Sequence, residues 1–113
     1  MTEQRPLLDT LAEMTAASVS RADLADRELM LVRLAGLVAV DAPASSYLLN
    51  LGPAADSGLT LEDTRGVLVA LAPIVGGPRV VDAAANIATA LGFALAIEDA
   101  LDDAEASSVG PRS

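Results

Sequence analysis

Proline and glycine cut this chain into helix-length segments, and no other feature of the sequence restricts its fold as tightly. Pro6 opens the first segment, Ala42-Pro43 closes the second, Gly58 closes the third, and Gly76-Gly77-Pro78 separates the fourth from the last. Within each segment apolar residues recur every three or four positions, and no stretch keeps the strict alternation of a strand. The chain therefore predicts an all-α domain, a bundle of five to six helices over residues 1–105, with residues 106–113 as a disordered tail.

Leu7, Leu8, Leu11 and Met14 predict a short amphipathic helix, with Pro6 tolerated in a first turn whose N–H groups lack partners. Ser20 and Asp23 have the spacing of a capping box for a second helix, from about Ala22 to Val40. That helix opens on Asp23, Asp26, Arg27 and Glu28 and is then almost wholly apolar, as expected of a central or interface helix. Arg33 interrupts it. Its guanidinium reads either as a group paired or solvated at a subunit boundary, or as the anchor for an anionic ligand. A third helix restarts after Pro43 and places Pro43, Ser46 or Tyr47, and Asn50 on one face. Pro53 is expected to kink or shorten it, and Gly58 to stop it.

Thr60 and Asp63 form a second capping-box pattern, ahead of a stripe of Leu61, Thr64, Leu68, Leu71 and Val75 that Pro73 should disturb near its end. The last helix, Pro78 to about Leu101, carries a stripe of Val80, Ala84, Ile87, Leu91 and Leu95. Beside that stripe, Ala85, Ala88, Gly92 and Ala96 allow another helix to come close. The acids from Glu98 to Glu105 have the wrong sign for a helix C-terminus and predict fraying.

The chain is 52% hydrophobic but only 2% aromatic, so its core rests on aliphatic side chains in closely packed helices. A mean hydropathy of +0.45 is high for a soluble monomer of this size. Either the chain enters a membrane or it hides apolar surface against copies of itself. The longest apolar run, Leu29–Val40, is broken by Arg33 and falls short of the roughly 18–20 residues a span needs, so self-association is the expectation. A net charge of −9 opposes nucleic acid and anionic lipid. No basic, apolar and small-residue series marks a leader at the N-terminus, and a cytoplasmic location is expected. With neither cysteine nor histidine in the chain, thiol redox chemistry, thiolate metal sites and imidazole catalysis have no residues to use. The acidic pairs Glu62-Asp63 and Asp102-Asp103 fall in opening or closing turns and read as solvated, so no metal or cofactor is expected. Asp82 reads as a complement to the last helix's dipole.

Taken together, the run Asp26 to Leu29, the Leu-Ala-Gly-Leu-Val run at Leu34–Val38, Ser57 to Thr60 with Asp63, and the run Leu71 to Pro78 form a series. The series resembles the carboxymuconolactone decarboxylase family, which includes alkyl hydroperoxidase D-like proteins, over roughly Leu24 to Leu95. The resemblance implies an all-α subunit that assembles into trimers or hexamers. It also implies a Cys-x-x-Cys-x-x-x-His motif, whose histidine position falls on Asn50 and whose cysteine positions fall on Ser46 and Pro43. All three are replaced, Ile74 stands where many members carry an aromatic residue, and Glu28 is an ill-matched relay glutamate.

Thiol peroxidase activity is excluded on chemical grounds, because a serine hydroxyl cannot cycle through sulfenic acid and disulfide. Ser46, Tyr47 and Asn50 remain as candidate catalytic residues, and Arg33 and Asn50 as candidate ligand-binding residues. Asn50 cannot shuttle a proton near neutrality, but its amide can orient a carbonyl or stabilise an oxyanion. Two readings follow. One is a non-thiol relative that binds, or decarboxylates or lyses, a small apolar or carboxylated molecule; the other is a scaffold without catalysis, serving as a structural or interaction subunit. An enclosed polar cavity at Asn50 would favour the first, and a filled core the second.

Overall fold

The computed structural model describes residues 5–108, and these form five α-helices and no strand. In chain order they are α1 (Pro6–Arg21), α2 (Asp26–Ala39), α3 (Ala44–Asp56), α4 (Leu61–Val75) and α5 (Gly77–Ser108). Helices α2 to α5 pack around one core, in which α5 lies against α2, α3 and α4. Val38, Ala42, Tyr47, Ala83 and Ala90 are its buried centre. Leu34, Leu37, Leu48, Leu68, Leu71 and Ile87 close around them. With only one ring among these residues, small aliphatic side chains let the helices approach closely.

Each helix end has an identifiable cause. Helix α2 stops where Asp41 takes a left-handed φ of 59°. There Ala42 N donates to Leu37 O at 3.0 Å and Asp41 N to Val38 O at 3.2 Å, the paired closure of a Schellman motif. Helix α3 ends in the same way on Gly58 (φ 84°), with Leu59 N on Ala54 O and Gly58 N on Ala55 O. Helix α4 begins in a reciprocal capping box: Asp63 N donates to Thr60 Oγ1 at 3.2 Å, and Thr60 N to Asp63 Oδ2 at 2.8 Å. Gly76, at φ 90°, turns the chain from α4 into α5.

Several expectations are corrected. Ser20 and Asp23 do not cap α2: α1 runs on through Arg21, Ser20 Oγ donates back to Ala17 O, and Asp23 (φ 55°) ends the first helix. The cap of α2 is Ala25, whose N–H donates to Glu28 Oε1 at 3.2 Å. Pro53 and Pro73 do not shorten their helices, which continue to Asp56 and Val75. Each proline leaves one carbonyl without its helical donor, that of Leu49 or Val69, and both residues are exposed so water can replace the bond. The inward stripe of α4 begins after Leu61, which is 67% exposed. On α5 the inward face is rotated from the expected stripe, with Ala83 and Ala90 buried while Ala84 and Leu95 face out. Helix α5 is described through its acids to Ser108; of the tail expected over 106–113, residues 109–113 lie outside the described residues.

Helix α1 stands apart. None of its residues is buried, and Leu7, Leu8, Leu11 and Met14 all face outward along it. The molecule accordingly measures 56 × 37 × 27 Å, with a radius of gyration of 17.1 Å, where a compact chain of this length gives about 13 Å. By length and composition, α5 also holds an 18-residue window within Gly77–Asp103 that is apolar enough to cross a bilayer, with a mean hydropathy of 1.8, where the longest run expected from the sequence was Leu29–Val40.

Candidate functional site

Two of the candidate residues meet in one place. Arg33 on α2 and Asn50 on α3 both line an open groove of about 450 Å³, walled by Leu37, Val40, Gly36 and Thr15 of α1. Arg33 also borders a neighbouring groove of about 320 Å³, floored by Leu29, Met30 and Pro53 and edged by Asp26 and Asp56. Its Nη2 donates to Ser18 Oγ at 3.2 Å, and it forms no ion pair among the described residues. This hydroxyl from α1 engages one donor of the guanidinium, and its other donors have no partner among the described residues.

Asn50 is half-buried, and its Nδ2 donates to Ser46 O one turn earlier at 2.8 Å. That bond fixes the amide against its own helix, leaving one N–H and the carbonyl oxygen available. Ser46 offers only its main chain to this contact, and its hydroxyl has no hydrogen-bond partner among the described residues. A serine nucleophile needs an adjacent base, and none is in contact with Ser46.

Tyr47 departs from the face shared by Ser46 and Asn50. One residue on from Ser46, it points into the core, where it is 2% exposed among Val38, Ala42, Ala83 and Ala90. Its hydroxyl is buried with no hydrogen-bond partner. Burial, and then the charge of Asp41, raise its pKa above the ordinary value. Tyr47 is thus a core residue that does not reach the groove. Ser45 faces elsewhere too, into a shallow apolar depression with Leu48, Thr89 and Phe93. Glu28, the nearest acid to a relay position, is engaged in capping α2. Asp82 is exposed on the opening turns of α5, and Ile74 is exposed on α4. Arg79 donates to Ala39 O, tying the start of α5 to the end of α2, so the glycine-proline junction serves as a helix corner.

The contact that sequence reading missed joins Arg27 to Asp63. Asp63 was expected to be solvated; instead its two oxygens accept from Arg27 Nη1 and Nη2 at 2.8 and 2.7 Å. Arg27 Nη1 also donates to Gly58 O at 3.2 Å, so one guanidinium ties α2 to the α3–α4 turn and the α4 cap. Arg27 opening α2 and the Thr60 box opening α4 were both visible in the sequence; their proximity was not.

The groove is neither an enclosed polar cavity nor a filled core. No group of three or more metal-ligating side chains occurs among the described residues. The chain matches no protein-family model, and no significant match to it occurs among curated proteins or solved structures.

Proposed function

We propose that this chain is a non-catalytic structural subunit of a homo-oligomeric helical assembly. The observation that carries the reading is uncovered apolar surface. The accessible area is 8028 Å², against about 5,800 Å² for a compact monomer of 11.4 kDa. Exposed aliphatic side chains include Leu7, Leu8, Leu11 and Met14 on α1 and Val81, Leu95 and Ile97 on α5. An isolated helix as short as α1 is marginal in water, so its leucine stripe calls for a covering surface. The resemblance to the carboxymuconolactone decarboxylase family agrees with this, as it implies trimers or hexamers with the reactive groups replaced. Light scattering over a range of concentrations tests the reading: a mass of two or more subunits is expected, and a stable monomer overturns it.

A second reading has its own support in the groove shared by Arg33 and Asn50. A guanidinium without a carboxylate partner, beside Leu37 and Val40, suits a small apolar carboxylate. Asn50's remaining N–H would orient such a ligand or stabilise an oxyanion in a decarboxylation or related lyase step. Benzoate should then raise the melting temperature of the wild type and leave that of Arg33→Gln unchanged; equal behaviour of the two proteins removes this reading.

A further inference from the structure

We infer that the groove between the Arg33 guanidinium and the Asp26 and Asp56 carboxylates binds a small zwitterion, an amine and a carboxylate joined by a hydrocarbon chain. This rests on the second reading above, in which Arg33 receives a carboxylate, and adds the group that the far end of the ligand carries. The groove holds about 320 Å³ where α1, α2 and α3 meet. Helix α2 supplies its floor as a single stripe: Asp26, Leu29, Met30 and Arg33 fall on one side of the helix over two turns. Leu29 and Met30 are buried yet lie outside the main core cluster, so an apolar floor separates the acid from the base. Helix α3 adds Pro53 and, one turn on, Asp56.

Charge selects the occupant. Arg27–Asp63 is the only ion pair among the described residues, so Arg33, Asp26 and Asp56 all border the groove without an opposite charge in contact. Asp26 opens α2, where the helix dipole favours an acid, and that accounts for it locally. Asp56 has no such account. It closes α3, at the end of the helix that repels an anion and attracts a cation. An amine entering there meets two carboxylates and the negative end of a helix, while a carboxylate at the other end meets the donors that Arg33 does not give to Ser18.

The floor sets what joins the two charges. Asp26 and Arg33 are separated by about 10 Å along α2 at about 1.5 Å per residue, and helical side chains lean toward the N-terminus, which brings the guanidinium back over Leu29 and Met30. Hydrocarbon suits that stretch. A dicarboxylate would set its second charge against Asp26 and Asp56, and a simple fatty acid would leave both acids unused.

Calorimetric titration of the full chain with 6-aminohexanoate, hexanoate and hexylamine at neutral pH tests this. The zwitterion should bind more tightly than either single-charge analogue, and Arg33→Gln should weaken it by about tenfold or more. The double variant Asp26→Asn/Asp56→Asn, altered only at exposed positions, should keep its helical circular dichroism and bind 6-aminohexanoate no better than hexanoate. Hexanoate binding the wild type as tightly as 6-aminohexanoate, or a double variant that still prefers the zwitterion, overturns the inference and leaves the carboxylate reading standing. Hexylamine binding as tightly as the zwitterion overturns it as well, since Arg33 then holds nothing. If none of the three binds, the inference falls alone where benzoate still raises the melting temperature of the wild type and not of Arg33→Gln, and both readings fall where it does not.

Discussion

Arg27 and Asp63, on helices α2 and α4, hold each other through two parallel hydrogen bonds of 2.8 and 2.7 Å. The same carboxylate accepts from Thr60 N at 2.8 Å, so a single side chain both caps α4 and docks it on α2. A long-range ion pair and a local cap are thereby coupled through one residue. The pair is partly exposed, and its strength should depend on salt.

The hydrogen bond from Arg27, and after it that from the Thr60 N–H, holds the Asp63 carboxyl well below its ordinary value of 3.8. A depressed folded pKa contributes stability above the unfolded value and loses it as the pH falls through the folded one. Asp63→Asn should therefore melt below wild type at neutral pH, with the gap narrowing as the pH drops under about 4. Melting curves across a pH series measure this, and a gap independent of pH would rule the ionised pair out as its source.

Thr60 supplies the other half of that cap. Thr60→Ala should cost about 1 kcal/mol in denaturant unfolding, and Thr60→Gly only a few tenths. Equal losses from the two substitutions would point to some contact other than the cap.

The glycines divide by backbone conformation. Gly76 lies at φ 90° and ψ 158°, a region nearly closed to other residues, and an added Cβ there meets no neighbouring atom. Gly76→Ala should destabilise by about 1–3 kcal/mol through backbone strain alone. Gly66, inside α4 with equally open surroundings, should behave oppositely, and Gly66→Ala should stabilise by up to about 1 kcal/mol. Chemical denaturation of the two variants compares their signs directly.

Tyr47 buries its hydroxyl without a partner. Replacing a buried, unpartnered polar group by its apolar isostere removes a desolvation cost, so Tyr47→Phe should match or exceed wild type in stability. Its raised pKa adds a second signature, because stability present below the unfolded tyrosine value near 10 is lost as the pH rises through the folded one. Tyr47→Phe should lack this tyrosine's share of that alkaline loss. A marked drop in its melting temperature at neutral pH would mean that the hydroxyl has a partner after all.

Asn50→Ala removes one bond to Ser46 O at a half-buried position. A loss of about 0.5–1.5 kcal/mol is expected from that bond alone. If benzoate stabilises the wild type and the alanine variant equally, Asn50 is a helix residue and takes no part in the groove's binding.

Local grammar determined much of this protein. The all-α class, the stops at Gly58 and Gly76, and the Thr60 box opening α4 all follow from interactions within a few residues of each other, which a sequence displays directly. Asp23 and Asp41 escaped the same reading, because aspartate adopts the left-handed turn only occasionally and Asp23 also fits a cap. The site was legible only in part. The spacing of Ser46 and Asn50 predicted one shared face, but the rotation that turns Tyr47 inward depends on where α5 lies. Which side of α5 is buried, and whether Asp63 meets water or Arg27, are likewise properties of helix docking between distant segments. Helical periodicity says that a stripe exists; only the packed structure decides what covers it, and in α1 and on the outer side of α5 the chain itself covers nothing.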